Sequence, residues 1–153
     1  MRLTLHTDYA LRTLIYLGLH TDRLASIREI AQVYGISENH LVKIIHRLGL
    51  GGFIETLRGR NGGLRLARPA AEIRIGDVVR YTEEDMGLVA CMQADETSAG
   101  RTCVLADACR LRGVLAEALG SFMTVLDRYT LADMMTENER SRLVPRPGVA
   151  GDP

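Results

Sequence analysis

The chain has 153 residues, enough for one domain with a small appendage and too few for a large enzyme. At 46% hydrophobic and 25% charged, with 4 Pro against 15 Gly, its composition is that of a globular protein and excludes global disorder. Its 19 basic and 19 acidic residues cancel overall, yet residues 1–80 carry a formal charge of +5 and residues 81–153 one of −5. A basic head is followed by an acidic tail. The longest apolar runs, Leu14–Leu19 and Met86–Cys91, fall far short of the ~18 residues a membrane span needs. Arg2, Asp8 and Arg12 interrupt any secretory leader, so the chain is expected to be cytoplasmic, with no membrane partner.

Thr7 or Asp8 is placed to cap a first helix whose apolar face is Leu11, Leu14, Ile15 and Leu17 or Gly18, ending near Gly18 and His20. Ser26 with Glu29 three residues on is a capping box, opening a short helix that stops at Gly35. Ser37 caps a third helix carrying Leu41, Ile44, Ile45 and Leu48 at i, i+3, i+4 and i+7, closed by Gly49, Gly51 and Gly52. Phe53–Leu57 and Leu64–Leu66 read as paired strands, joined through Asn61-Gly62 as a type I′ turn. After Pro69, residues 73–82 return to helical period. This order predicts a mainly α fold with a small β-hairpin, a winged helix-turn-helix over residues 1–82.

From 83 to 109 the periodicity dissolves into a loop that bears all three cysteines. Leu111, Leu115, Ala118, Phe122, Val125 and Tyr129 then step by 4, 3, 4, 3 and 4, a heptad seam predicting a long dimerisation helix. Gly113 and Gly120 weaken that helix and either permit close helix approach or are merely tolerated. Thr130–Asp133 can start a short last helix within residues 110–139. Residues 140–153, with Arg146-Pro147-Gly148, read as a disordered tail.

In a helix-turn-helix the first turn of the third helix enters the major groove. Here that turn offers Ser37, Glu38, Asn39, His40 and Lys43, and Asn suits adenine edges, Lys guanine, and Ser phosphate. Any exposed helix start is polar, so this alone decides little. The hairpin adds Arg58, Arg60, Arg65 and Arg68 within eleven residues that contain no acid. Arginine at a hairpin tip fits a narrow minor groove or its flanking phosphates, and double-stranded DNA is preferred as partner over a merely solvated hairpin.

Cys91, Cys103 and Cys109 are an odd number in a reducing compartment, so a disulfide framework is not expected. Three thiolates plus one more ligand suit zinc or an iron-sulfur cluster, while free buried cysteines are the bland alternative. No histidine lies beyond His46, which leaves Asp95, Asp107 or a residue of the head, in this or another subunit, as fourth ligand. A zinc or thiol redox regulator on the same scaffold is the rival class. The sequence has no G-x-S-x-G, Walker loop or H-E-x-x-H, and no catalytic role is assigned.

Several segments together carry a family resemblance: Leu3-Thr4 through Thr7-Asp8-Tyr9-Ala10-Leu11-Arg12, Val33–Ser37, Asn39–Ile45, Arg58–Leu66, Ile73–Arg80 and Tyr129–Asp133. In this order they resemble the Rrf2-type winged-helix regulators, and among these the nitric-oxide-sensing repressors. The resemblance implies a homodimer that binds promoter DNA while it carries an iron-sulfur cluster and lets go when nitric oxide attacks the cluster. The three family cysteines fall on Cys91, Cys103 and Cys109. A ligand aspartate early in the first helix of the other subunit falls on Asp8, which favours a 4Fe-4S over a 2Fe-2S cluster. Related regulators of cluster assembly carry a ligand histidine where this chain has Arg112. The interval from Cys91 to Cys103 is longer than is usual in the family.

Overall fold

The computed structural model describes residues 2–92, 103–105 and 108–144. Its first helix, α1 (Leu5–Leu19), begins earlier than Thr7 or Asp8 would have it. Thr4 is the cap: its hydroxyl accepts the Thr7 N–H at 3.3 Å. The reason is tertiary. Both the N–H and the hydroxyl of Thr4 donate to the Glu83 carboxylate, at 2.8 and 3.0 Å, and the buried Thr7 hydroxyl donates to Thr82 at 2.8 Å. A distant acid thus chooses among three possible caps.

Helix α1 is buried on more than one face, with Thr7, Ala10, Thr13, Leu14, Tyr16 and Leu17 all enclosed, while Leu11 and Ile15 are only half-buried. Around it stand α2 (Ile27–Tyr34) and α3 (Glu38–Leu50). The Ser26–Glu29 capping box forms, and Gly35, at φ +63°, ends α2 in the left-handed conformation that glycine adopts without strain. Leu41, Ile44, Ile45 and Leu48 of α3 all enter the core, where truncation of any one to Ala costs about 2–5 kcal/mol.

The wing is an antiparallel pair, β1 (Ile54–Leu57) and β2 (Gly63–Leu66), with Glu55 opposite Arg65 and Leu57 opposite Gly63. That register leaves five residues in the loop, so Asn61-Gly62 does not form a two-residue type I′ turn. Gly59, not Gly62, has positive φ (+111°), and the Gly62 N–H returns to the Gly59 carbonyl at 3.0 Å. An added Cβ on Gly62 would meet the Leu57 carbonyl, so this glycine serves close approach. Ala25 joins the wing through reciprocal bonds with Leu64 of 3.0 and 2.8 Å. The hairpin is therefore fixed to the segment that leads into α2.

Next come α4 (Ile75–Thr82), a 3-10 turn at Ala90–Met92, and α5 (Arg110–Asp127). The start of α4 pairs with the chain beyond α5: the Ile75 N–H donates to Tyr129 at 3.0 Å and the Leu131 N–H to Ile73 at 2.7 Å. Arg80 grips Asp127 with two bonds of 2.8 and 2.6 Å, in the space that a side chain on Gly76 would fill. No residue of α5 is fully buried. The expected seam divides: Leu115 and Phe122 are half-buried with Leu119 and Leu126, whereas Leu111, Ala118, Val125 and Tyr129 are exposed together with Val114. By helical geometry Gly113 and Gly120 lie away from that exposed strip, so they do not line it.

Thr130–Asp133 does not open the last helix. It leads into a 3-10 turn at Ala132–Met134, and the Asp133 carboxylate accepts from the Thr130 N–H and hydroxyl. Helix α6 (Glu137–Leu143) has its own capping box, Thr136 with Glu139, which carries order past the tail boundary expected at 140. Residues 145–153 of that tail lie outside the described residues.

Glu29, besides closing its capping box, accepts from Arg23 and from the Tyr16 hydroxyl, joining α2 to α1. The Arg23 guanidinium holds its carboxyl at about 2, below the ordinary 4.5. A carboxylate depressed by folding stabilises the fold fully above 4.5 and loses that effect as pH falls towards about 2. The melting temperature should therefore fall more steeply with acid across this window in the wild type than in Glu29→Gln. Parallel profiles would remove this ion pair from the acid response.

Candidate nucleic-acid interface and cysteine segment

The burial of one face of α3 turns Glu38, Asn39, Val42, Lys43 and His46 to solvent on the other. Ser37 stands at the N-cap with its hydroxyl making no cap bond. His40 is exposed too, but on the flank: with Lys43 it lines a cleft of about 270 Å³ shared with Leu5, His6 and Tyr9 of α1. Val42 and His46 were not singled out from sequence. Their spacing of three and seven residues from Asn39 is the signal that could have found them.

Helix α3 is anchored at its far end. Arg47 donates to the Tyr81 carbonyl at 3.0 Å and meets Glu84 at 3.3 Å, while the Tyr81 hydroxyl donates to the Arg47 carbonyl at 2.8 Å. These bonds tie its C-terminus to the end of α4. Among the described residues no side-chain hydrogen bond holds its N-terminal turn.

The four wing arginines do not form one class. Arg58 and Arg60 are exposed in the loop between the strands, and among the described residues neither pairs with an acid. Arg65 is held by Glu55 across the hairpin, at 2.8 and 2.9 Å. The stretch from 58 to 68 is acid-free, but β pairing brings in an acid from just outside it. Arg68 is half-buried, its guanidinium lying 5.0 Å from the centre of the Phe53 ring, and acts as packing.

The cysteines occupy the connection from α4 to α5. Cys91 is half-buried in the 3-10 turn, Cys103 is exposed, and Cys109 is half-buried at the N-cap of α5 with no cap bond from its side chain. All three are free thiols. Cysteine sulfur is a ligand for both metals, so the donor chemistry fits an iron or zinc centre. Among the described residues of the single chain, however, no three His, Cys, Asp or Glu side chains gather into a metal-holding group. Asp95 and Asp107 lie outside the described residues. Asp8 is in the first turn of α1 and pairs with Arg12, at 2.9 and 3.0 Å. Arg12 in turn lies about 6 Å from the Tyr9 and Tyr34 rings, and the Tyr34 hydroxyl donates to its carbonyl at 3.1 Å. No described helix is long and apolar enough to cross a membrane.

A winged helix-turn-helix followed by a cysteine-bearing connection and a long helix defines a class of transcriptional regulators. Residues 3–137 match the Rrf2 family, described as an iron-dependent transcriptional regulator, and the chain belongs to that family. It is similar to the HTH-type transcriptional regulator NsrR of Geobacillus kaustophilus, with 52% identity over 97% of this chain and 100% of the relative. The NsrR of Halalkalibacterium halodurans is 49% identical over 91% of this chain and 93% of its own. Among solved structures, IscR of T. potens superposes with a TM-score of 0.70 at 27% identity, covering 88% of this chain and 86% of that one.

Pairing with Glu55 separates Arg65 from the tip arginines in a measurable way. Alanine substitutions at Glu55 and Arg65, singly and together, should show a coupling of about 0.2–1 kcal/mol in stability, as for exposed cross-strand pairs. A coupling of zero would return Arg65 to the unpaired set.

Proposed function

We propose that this chain is a homodimeric iron-sulfur repressor in the cytoplasm that binds double-stranded promoter DNA and is released from it by nitric oxide. One observation carries the reading: three free cysteines stand on the segment joining the winged body to α5, in a chain similar along nearly its whole length to regulators named NsrR. Cys91, Cys103 and Cys109 would hold the group as thiolates, and Asp8 of a second copy would complete the set, which suits a 4Fe-4S rather than a 2Fe-2S cluster. Bound there, it would supply an iron site with one hard, weakly donating ligand, open to a small diatomic molecule.

Asp8 must leave Arg12 to serve as ligand. An exposed i,i+4 pair is worth only about 0.3–0.5 kcal/mol, so the exchange costs little. The exposed strip of Leu111, Val114, Ala118, Val125 and Tyr129 gives α5 an apolar surface for the second copy. In a dimer the two α3 helices must stand about one DNA turn apart, with Ser37, Asn39, His40 and Lys43 towards the groove and Arg58 and Arg60 towards phosphates or a minor groove. Losing the tie between subunits would let the α3 helices shift from that spacing. The response is geometric.

Iron and sulfide measured per chain after anaerobic purification test the cofactor, and Ala at any of the three cysteines should lower both; full occupancy in one variant would remove that residue. Asp8→Asn should leave folding near normal while altering the spectrum and its nitric oxide titration. A heterodimer of a Cys-less chain with an Asp8→Asn chain holds one complete crossed site and no complete same-chain site. A wild-type-like spectrum is expected there, and its absence would sink the crossing.

Arg58→Ala and Arg60→Ala should each weaken DNA binding and reduce its salt slope by about one ion. If affinity and slope are unchanged at matched salt, the loop makes no contact with the backbone.

A further inference from the structure

Val42 is out of character with its surroundings. It is 50% exposed, while the other solvent-facing residues of this part of α3, Glu38, Asn39, Lys43 and His46, are polar. A β-branched residue there gives up side-chain freedom in the helix and gains little burial in the single chain. It follows Asn39 by one turn and precedes His46 by another, so Asn39, Val42 and His46 form a row along the helix.

An A·T pair shows two kinds of group in the major groove. Adenine presents N6–H and N7, which an amide side chain matches, and thymine presents its C5-methyl, which an apolar side chain matches. Asn39 and Val42 offer both, side by side. We propose that Val42 packs on a thymine methyl and, with Asn39, makes α3 selective for A·T pairs where it enters the groove, a contact that rests on the DNA-binding reading given above. Removing one such methyl contact is worth about fourfold in affinity.

The test uses the full chain reconstituted anaerobically with iron and sulfide to select duplexes from a random pool. Each thymine of a selected half-site is then replaced in turn by deoxyuridine, which removes only the C5-methyl. One or two replacements should weaken wild-type binding about fourfold. Val42→Ala, at an exposed position where Ala is a better helix former, should bind the thymine duplex about fourfold more weakly and no longer distinguish thymine from deoxyuridine there. Indifference of the wild type to every replacement, or a Val42→Ala chain that keeps full thymine sensitivity, overturns the methyl contact and leaves DNA binding standing. Enrichment of no duplex at all overturns the DNA-binding reading and the contact with it.

Discussion

Burial of α1 is the constraint on which the winged body depends. Its enclosed residues face α3, β2 and α4 at once, so the helix that bears Asp8 also sets the position of α3 and the wing. Loss of a side chain such as Leu14 would leave a cavity bordered by several elements, and the cost would be shared among them rather than confined to one contact. The polar bonds of Thr4 and Thr7 to Glu83 and Thr82 sit at the same end of α1 and fix the exit of α4. Beyond that exit lies the chain that leads to Cys91.

Charge on the basic half is used in two ways that composition cannot separate. Arg23, Arg47, Arg65 and Arg80 are each matched to an acid, and Arg68 to an aromatic ring. Exposed surface pairs contribute little stability individually, but they fix side chains in place and neutralise them towards an outside partner. Among the described residues Lys43, Arg58 and Arg60, on α3 and the wing loop, pair with no acid, and neither do Arg2, Arg28 and Arg74 elsewhere on the basic half, while Arg12 is matched to Asp8. The number of cations that can meet phosphate is thus well below the formal count.

Local signals in the sequence were dependable where local physics decides. The Ser26–Glu29 box, the stop of α2 at Gly35 and the four-residue apolar stripe of α3 follow from hydrogen bonding and periodicity within a few residues, and each appears as expected. Where a distant residue decides, the sequence was silent or misleading. Glu83 selects the cap of α1, Glu55 occupies Arg65, and Ala25 extends the wing, all through contacts between segments far apart in the chain or brought together only by strand register. The seam of α5 was legible as a period, but a period cannot say which of its residues turn towards the chain's own body. The cysteines were legible as residue types, whereas among the described residues no three His, Cys, Asp or Glu side chains gather into a metal-holding group, and residue type alone says nothing of such geometry.

The absence of a side chain at Gly76 has a mechanical consequence. Because α4 is bare there, the Asp127 carboxylate seats directly against it beside Arg80, and with the backbone bonds of Ile75 to Tyr129 and Leu131 to Ile73 it welds the far end of α5 to the winged body. The 18 residues of α5 run about 27 Å from that weld to Cys109. A rotation of only about 5° at the joint then sweeps the cysteine end through about 2 Å, comparable to the length of a metal–sulfur bond. Read in the other direction, the same rod gears a displacement of that size down to a few degrees of tilt in the body that carries α3.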